Sequence, residues 1–108
     1  EKIDAIVDMF NDPKSIRYKI HGHGSNFDVT FFNTMFGEIY IKAGKNNKAE
    51  AILLKALDHN PNFAMAHHQL WKFYSNEDDN EKANHHKQKF EHLWRNADED
   101  VKKTFEIL

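Results

Sequence analysis

Cysteine is absent from this 108-residue chain, and that single absence removes disulfides, thiolate metal sites and a cysteine nucleophile together. It leaves the compartment open and disfavours only the disulfide-built scaffolds of oxidising surroundings. No stretch approaches the roughly 18 to 20 consecutive apolar residues that a membrane-spanning helix requires, and the N-terminus lacks the apolar core of a signal peptide. The reading is a soluble chain without membrane insertion, with the cytoplasm favoured. Charge of one sign is missing too: 15 Lys and Arg face 17 Asp and Glu, for a formal net charge of −2. The cations are spread between acidic residues without the one-sided stripe that phosphate neutralisation requires, which argues against nucleic acid as a partner. Glu1 rather than methionine begins the chain, which suggests an excised domain of a longer protein or a processed chain and leaves open whether a targeting signal was removed.

What is present is an ordinary globular composition, 40% hydrophobic and 13% aromatic, in a length that suits one core or one short stack. Ile3, Ile6, Val7 and Phe10 fall on one helical face before Asn11-Asp12-Pro13 interrupts the pattern. Asp12 ahead of Pro13 is a good start for a second short helix carrying Ile16 and Ile20, because the carboxylate accepts orphan amides and proline tolerates the first helical position. His21-Gly22-His23-Gly24-Ser25-Asn26 then reads as a connecting loop.

From about Asp28 the pattern strengthens. Phe32, Phe36, Ile39, Tyr40 and Ala43 form a helical stripe that Gly44-Lys45-Asn46-Asn47 stops. Ala49, Ile52, Leu53, Ala56 and Leu57 form another, ended by Asn60-Pro61, since proline cannot continue a helix. The cycle repeats with Ala66, Leu70, Phe73 and Tyr74, a polar break from Ser75 to Asn80, and Ala83, Phe90, Leu93 and Trp94. A last helix is expected over Val101, Phe105 and Leu108, its N-terminus favoured by the acidic Asp98-Glu99-Asp100.

Shifting the sequence on itself by ~34 residues pairs Phe36 with Leu70, Tyr40 with Tyr74 and Ala49 with Ala83. The first copy reads Phe36-Gly37, Tyr40, Ala49, Leu53, Ala56, Pro61, and so resembles the tetratricopeptide repeat signature at each position but the leading tryptophan, here Asn33. Gly37 and Ala49 are the small residues that let paired helices approach, and Tyr40 and Leu53 the large ones that fill the space between them. The second copy departs from the signature, with Trp71 for the small glycine, Lys87 for a large apolar residue, Phe90 for the small alanine and Arg95 for the closing proline. Terminal repeats often depart in this way, because their outer face meets solvent or a cap.

The resemblance implies an all-α fold of antiparallel helical hairpins stacked as a short right-handed superhelix. Its parts are repeats over 29–62 and 63–96 and a capping helix over 97–108; residues 1–28 do not match at the same shift and read as a helical segment that is either a degenerate repeat, the favoured reading, or an unrelated helical cap. It also implies a concave side lined by the first helix of each hairpin: Phe31, Thr34, Glu38, Ile41 and Lys42 in the first repeat, and Met65, His68, Lys72 and Ser75 in the second. Such a lining, part apolar and part charged, suits a short amphipathic helix or extended peptide from a partner protein; a plain solvated helix face is the bland alternative. Some family members grip acidic chaperone tails with lysines and asparagines. Thr34 and Glu38 stand at those clamp positions here, and the Glu38 carboxylate repels an acidic peptide end.

Eight histidines invite a metal reading, but no two stand four residues apart as a helical zinc pair requires, and no His-Glu-x-x-His is present. His85 and His92 share a face roughly 10 Å apart, too far for one ion. His21, His23, His67, His68, His85, His86 and His92 are therefore read as surface and groove residues whose titration makes binding pH-sensitive. His21 and His23 are the least implausible ligands, given partners from elsewhere. No nucleophile elbow or glycine-rich phosphate loop accompanies the serines and carboxylates, so no catalytic residue and no cofactor are expected. Trp71 and Trp94 read as packed aromatics, with Trp94 under the final helix, ahead of a role as interface anchors. Three functions follow: peptide binding, self-association or capping within a longer helical array, and a histidine-based metal accessory. A lone pair of repeats is marginal in stability, which adds weight to a homo-oligomer.

Overall fold

The computed structural model describes residues 2–12, 26–97 and 103. Its helices are α1 (Lys2–Asn11), α2 (Asn26–Lys42), α3 (Asn46–His59), α4 (Ala64–Asn76) and α5 (Asn80–Arg95), and no strand occurs among the described residues. The fold is all-α. Two compact units divide the chain, residues 1–61 with α1 to α3 and residues 62–108 with α4 and α5. The expected helix over Ile16 and Ile20, the loop from His21 to Ser25, and the final helix with Val101, Phe105 and Leu108 lie outside the described residues.

Each hairpin is made by one turn. After α2, Gly44 takes a left-handed φ of 75°; its amide donates to the Ile41 carbonyl at 3.0 Å and the Lys45 amide reaches back to the Tyr40 carbonyl at 2.9 Å. This is the Schellman arrangement, which satisfies helix-end carbonyls while reversing the chain. The shift that sets Tyr40 on Tyr74 carries Gly44 onto Asp78, and Asp78 adopts the same left-handed backbone at φ 60°. There the Asp78 amide donates to Ser75 at 3.2 Å and the Asp79 amide to Tyr74 at 2.9 Å. The same shift carries the end of α2 onto the end of α4 and the start of α3 onto the start of α5. One position gains in the second turn: Asp79 caps α5 by accepting the Lys82 amide at 3.2 Å, whereas Lys45 offers α3 no side-chain cap.

In the first unit, Phe36, Tyr40, Ala49, Ile52, Leu53 and Ala56 are buried between α2 and α3. Full burial of a side chain such as Leu53 contributes about 1.5–3 kcal/mol. Gly37 sets the distance between these helices, because a Cβ placed on it would meet Leu53 Cγ and Cδ2 at 2.5 Å. In the second unit, Ala66, Leu70, Phe73, Tyr74 and Ala83 form the corresponding core. The positions equivalent to Gly37 and Leu53 are Trp71 and Lys87, and here the Lys87 ammonium lies over the Trp71 ring, 5.6 Å from its centroid. Where the first hairpin sets a small residue against a large apolar one, the second sets a large aromatic against a cation on a long stem.

Several expected core residues prove exposed. Ile6, Phe32 and Ile39 retain 48%, 42% and 45% of their surface, and Ala43 sits exposed in the turn. The buried side of α2 runs instead through Val29, Thr30, Asn33, Thr34, Phe36 and Tyr40. The cause is polar pairing. Asn33 exchanges two amide hydrogen bonds with Asn11 of α1, at 2.9 and 3.0 Å, and the Asn11 amide also donates to the Val7 carbonyl at 3.0 Å. Thr34 donates to the Thr30 carbonyl at 2.7 Å. A face with most of its polar groups paired can be buried, although the Thr30 hydroxyl finds no hydrogen-bond partner among the described residues, and Phe32 moves to the rim, against Phe10 at 5.0 Å and Phe31 at 5.5 Å between centroids.

Two expectations can be checked by chemical denaturation. Gly37→Ala should destabilise by about 2 kcal/mol through overpacking, and Leu53→Ala should cost about 2–5 kcal/mol alone. The double variant should lose clearly less than their sum, and strict additivity would contradict the contact. At the turns, Gly44→Ala should cost about 1 kcal/mol, purely from the left-handed backbone since nothing crowds a Cβ there. Asp78→Gly should stabilise by about 0.5–1 kcal/mol.

Candidate functional site

The residues expected to line a binding face divide by environment. On α2, Glu38 and Lys42 are drawn together as an i,i+4 ion pair at 3.3 Å, with side chains 41% and 76% exposed. Such an exposed pair contributes about 0.3–0.5 kcal/mol. Phe31 and Ile41 are half-buried. Thr34 departs from expectation: it is fully buried, with its hydroxyl spent on its own helix, and so offers nothing to a ligand. On α4, Met65 and His68 are half-buried while Lys72 and Ser75 are exposed. The Ser75 hydroxyl donates to the Trp71 carbonyl at 2.8 Å. His68 meets Trp71 edge-on at 5.7 Å and Phe90 of α5 at 4.9 Å. Burial, and secondarily Lys72, holds its imidazole below the ordinary histidine range.

His68 is one end of a run of rings along the second hairpin. Phe90 lies 6.0 Å from Trp71 and stacks on Trp94 at 5.5 Å with planes 24° apart. All four rings are half-buried. Trp71 and Phe90 build this surface with His68 and Trp94, and the Lys87 ammonium lies over the Trp71 ring.

The first unit carries a polar node that sequence reasoning did not identify. Asp4 of α1 accepts the Tyr40 hydroxyl at 2.6 Å on one oxygen and the Lys48 ammonium at 2.8 Å on the other, so one carboxylate joins α1 to both helices of the hairpin. Its side chain is 28% exposed. The hydrogen bonds from Lys48 and Tyr40 hold its pKa down to about 2, against an ordinary 3.8. The node, with Val7 and Ile52, lines an open cleft of about 410 Å³ rimmed by Asp8, Ala51 and Lys55. The pairing of Lys48 with Tyr40 recurs in the second hairpin, where Lys82 lies 5.4 Å from the Tyr74 ring centroid. Asp4 is far from Tyr40 along the chain, across a segment with no repeat pattern, and so their pairing left no periodic trace.

The histidines also correct the sequence reading, which placed them at the surface. His67 of α4 and His86 of α5 are buried, at 4% and 7% exposure, with their Nδ1 atoms 2.9 Å apart. Among the described residues, no group of three His, Cys, Asp or Glu is placed to hold a metal ion, and no helix is long and apolar enough to cross a membrane. No protein-family model, curated protein or solved structure matches the chain.

The Asp4 node gives a pH dependence of definite sign. Because the folded carboxyl ionises below its ordinary value, its stabilising contribution is complete above about pH 4 and is lost as the pH falls from there toward 2. Carboxyl titration by NMR should place Asp4 well under 3.8, and Asp4→Asn should remove that part of the acid limb of a stability–pH profile. A midpoint at or above the ordinary value contradicts the node.

Proposed function

We propose that the two hairpins are tetratricopeptide-type repeats and that the chain is a binding module, not a catalyst, receiving a peptide or helix of a partner protein. The observation that carries this reading is the recurrence, at one fixed shift, of a left-handed turn, of helix ends and of the buried Tyr40 and Tyr74. Helical hairpins repeating every ~34 residues are what that family is built from. The binding residues are those of the earlier set that remain accessible: Phe31, Glu38, Ile41 and Lys42 on α2, and Met65, His68, Lys72 and Ser75 on α4. Apolar side chains flanked by charges of both signs fit an amphipathic segment. The stacked superhelix, its concave side and the capping helix are part of the same proposal.

Self-association is a second reading, favoured by the half-exposed ring run of Trp71, Phe90 and Trp94. Aromatic residues of this kind are frequent anchors of protein interfaces.

Affinity capture should compare the wild-type chain with a variant carrying Glu38→Lys and Lys72→Glu, both shown helical by circular dichroism. A partner retained by the wild type and weakened on the order of tenfold or more by the charge reversals is the expected outcome. Equal capture on both contradicts binding at these faces. A dimer mass by light scattering that reverts to monomer in Trp71→Ala would support self-association instead.

A further inference from the structure

Two buried imidazoles facing each other across a helical hairpin are unusual, because each is an ionisable group in a place that penalises charge. The separation of the His67 and His86 ring centroids, 5.2 Å, is about what the 2.9 Å nitrogen–nitrogen distance gives when both nitrogens lie on the line between the rings. The Nδ1 atoms therefore point at one another. That is the geometry of a shared hydrogen bond, in which one ring donates from a protonated Nδ1 and the other accepts on a bare one. It does not direct two lone pairs to a common third point, as an ion would require.

The surroundings favour the uncharged pair. Tyr74 of α4 stacks on His86 with planes 20° apart, and His85 of α5 meets the same ring edge-on at 4.9 Å. Lys82 of α5 stands over the Tyr74 ring, and Lys72 of α4 acts on neighbouring His68. Tyr74 is neutral and both lysines are already cationic at neutral pH, Lys82 being paired at 3.8 Å with Asp79, so none of these facing groups sets a negative charge against the imidazoles. Burial first, then His67 and His85, push the His86 pKa down to about 4 from an ordinary 6.5. The positions equivalent to His67 and His86 in the first hairpin are Asn33 and Ile52, which do not titrate.

We propose that His67 and His86 form an acid-sensitive latch on the second hairpin, holding α4 to α5 near neutral pH and releasing them in mildly acidic surroundings while the first hairpin stays folded. The first proton taken up leaves the bond in place but puts a charge in a buried site. The second sets two N–H groups against each other and removes the bond. The sign follows from linkage. In the fold His86 binds a proton less readily than in the unfolded chain, so acidification through the ordinary histidine range favours opening, and neutral pH restores the hairpin.

Hydrogen exchange on the full chain tests this, with rates corrected for the intrinsic effect of pH. Between about pH 7 and pH 5, amides of residues 64–95 should lose protection by roughly ten- to a hundredfold, while those of residues 29–59 stay within about threefold. The double variant His67→Asn/His86→Asn, whose amides stand where the Nδ1 atoms were and do not titrate, should abolish the difference. His68→Gln should leave most of it. Equal loss in both hairpins, no loss, or persistence of the effect in the double variant overturns the latch. Should that variant not fold, long-range ¹H–¹⁵N correlation of the wild-type histidines at neutral pH decides. One of the two rings must carry its proton on Nδ1, and finding both protonated on Nε2 overturns the proposal.

Discussion

A single backbone constraint underlies both hairpins: one residue in the left-handed region two positions beyond the end of the hairpin's first helix. Without it the chain has no short way to reverse, and the last carbonyls of α2 and α4 lose the bonds from Lys45 and Asp79. With it, the tyrosine whose carbonyl receives that bond is buried, Tyr40 in one unit and Tyr74 in the other. Glycine meets the constraint at little cost. Aspartate at position 78 meets it against a penalty of about 1–2 kcal/mol that L-residues incur there, offset in part because Asp79 then caps α5. The two turns share a geometry and differ in how they are stabilised.

Beyond the turns, the units are distinguished by how they bury polar groups. The first unit uses the neutral Asn11–Asn33 exchange and, at a partly exposed position, the Asp4 carboxylate between Tyr40 and Lys48, which stays ionised near neutral pH. Both reach back to α1, so α1 is held by specific hydrogen bonds as much as by Val7, its one buried apolar side chain. The second unit uses the His67–His86 pair within the hairpin itself. A satisfied buried pair specifies one register between helices, because a slip would strand its donors and acceptors in a place where each costs about 1–3 kcal/mol. The histidine version ties that specificity to protonation and the asparagine version does not.

The sequence allowed the helices to be located but not always their buried sides. The extents of α3 and α4 followed from three-and-four spacing and from Gly44 and Pro61, and α4 buries Ala66, Leu70, Phe73 and Tyr74 as that spacing required. In α2 periodicity had little to decide with, since Val29, Phe31, Phe32, Met35, Phe36, Ile39 and Ile41 lie all around the helix. The winning face was chosen by Asn33 and Thr34, whose partners, Asn11 and the Thr30 carbonyl, a hydropathy pattern does not weigh. Thr34 left the candidate binding set for the same reason. His67 and His86 were passed over because spacing was read for a metal within one helix, whereas their pairing runs between two. Trp71 and Lys87, which stand at the fixed shift from Gly37 and Leu53, differ from them together, with the cation over the ring; a pattern that weighs one position at a time does not register such a pair.

That one turn is built twice, at Gly44 and again at its repeat-equivalent Asp78, is the claim on which the rest depends. Backbone NMR of the full chain measures it, through three-bond HN–Hα couplings and Cα and Cβ shifts at Gly44 and Asp78 and through amide contacts across each turn. Positive φ at both residues, with helical values up to Lys42 and Asn76 and again from Asn46 and Asn80, is the predicted result. A helical φ at Asp78, which would run α4 into α5 without reversal, would contradict it and leave the second unit without a hairpin.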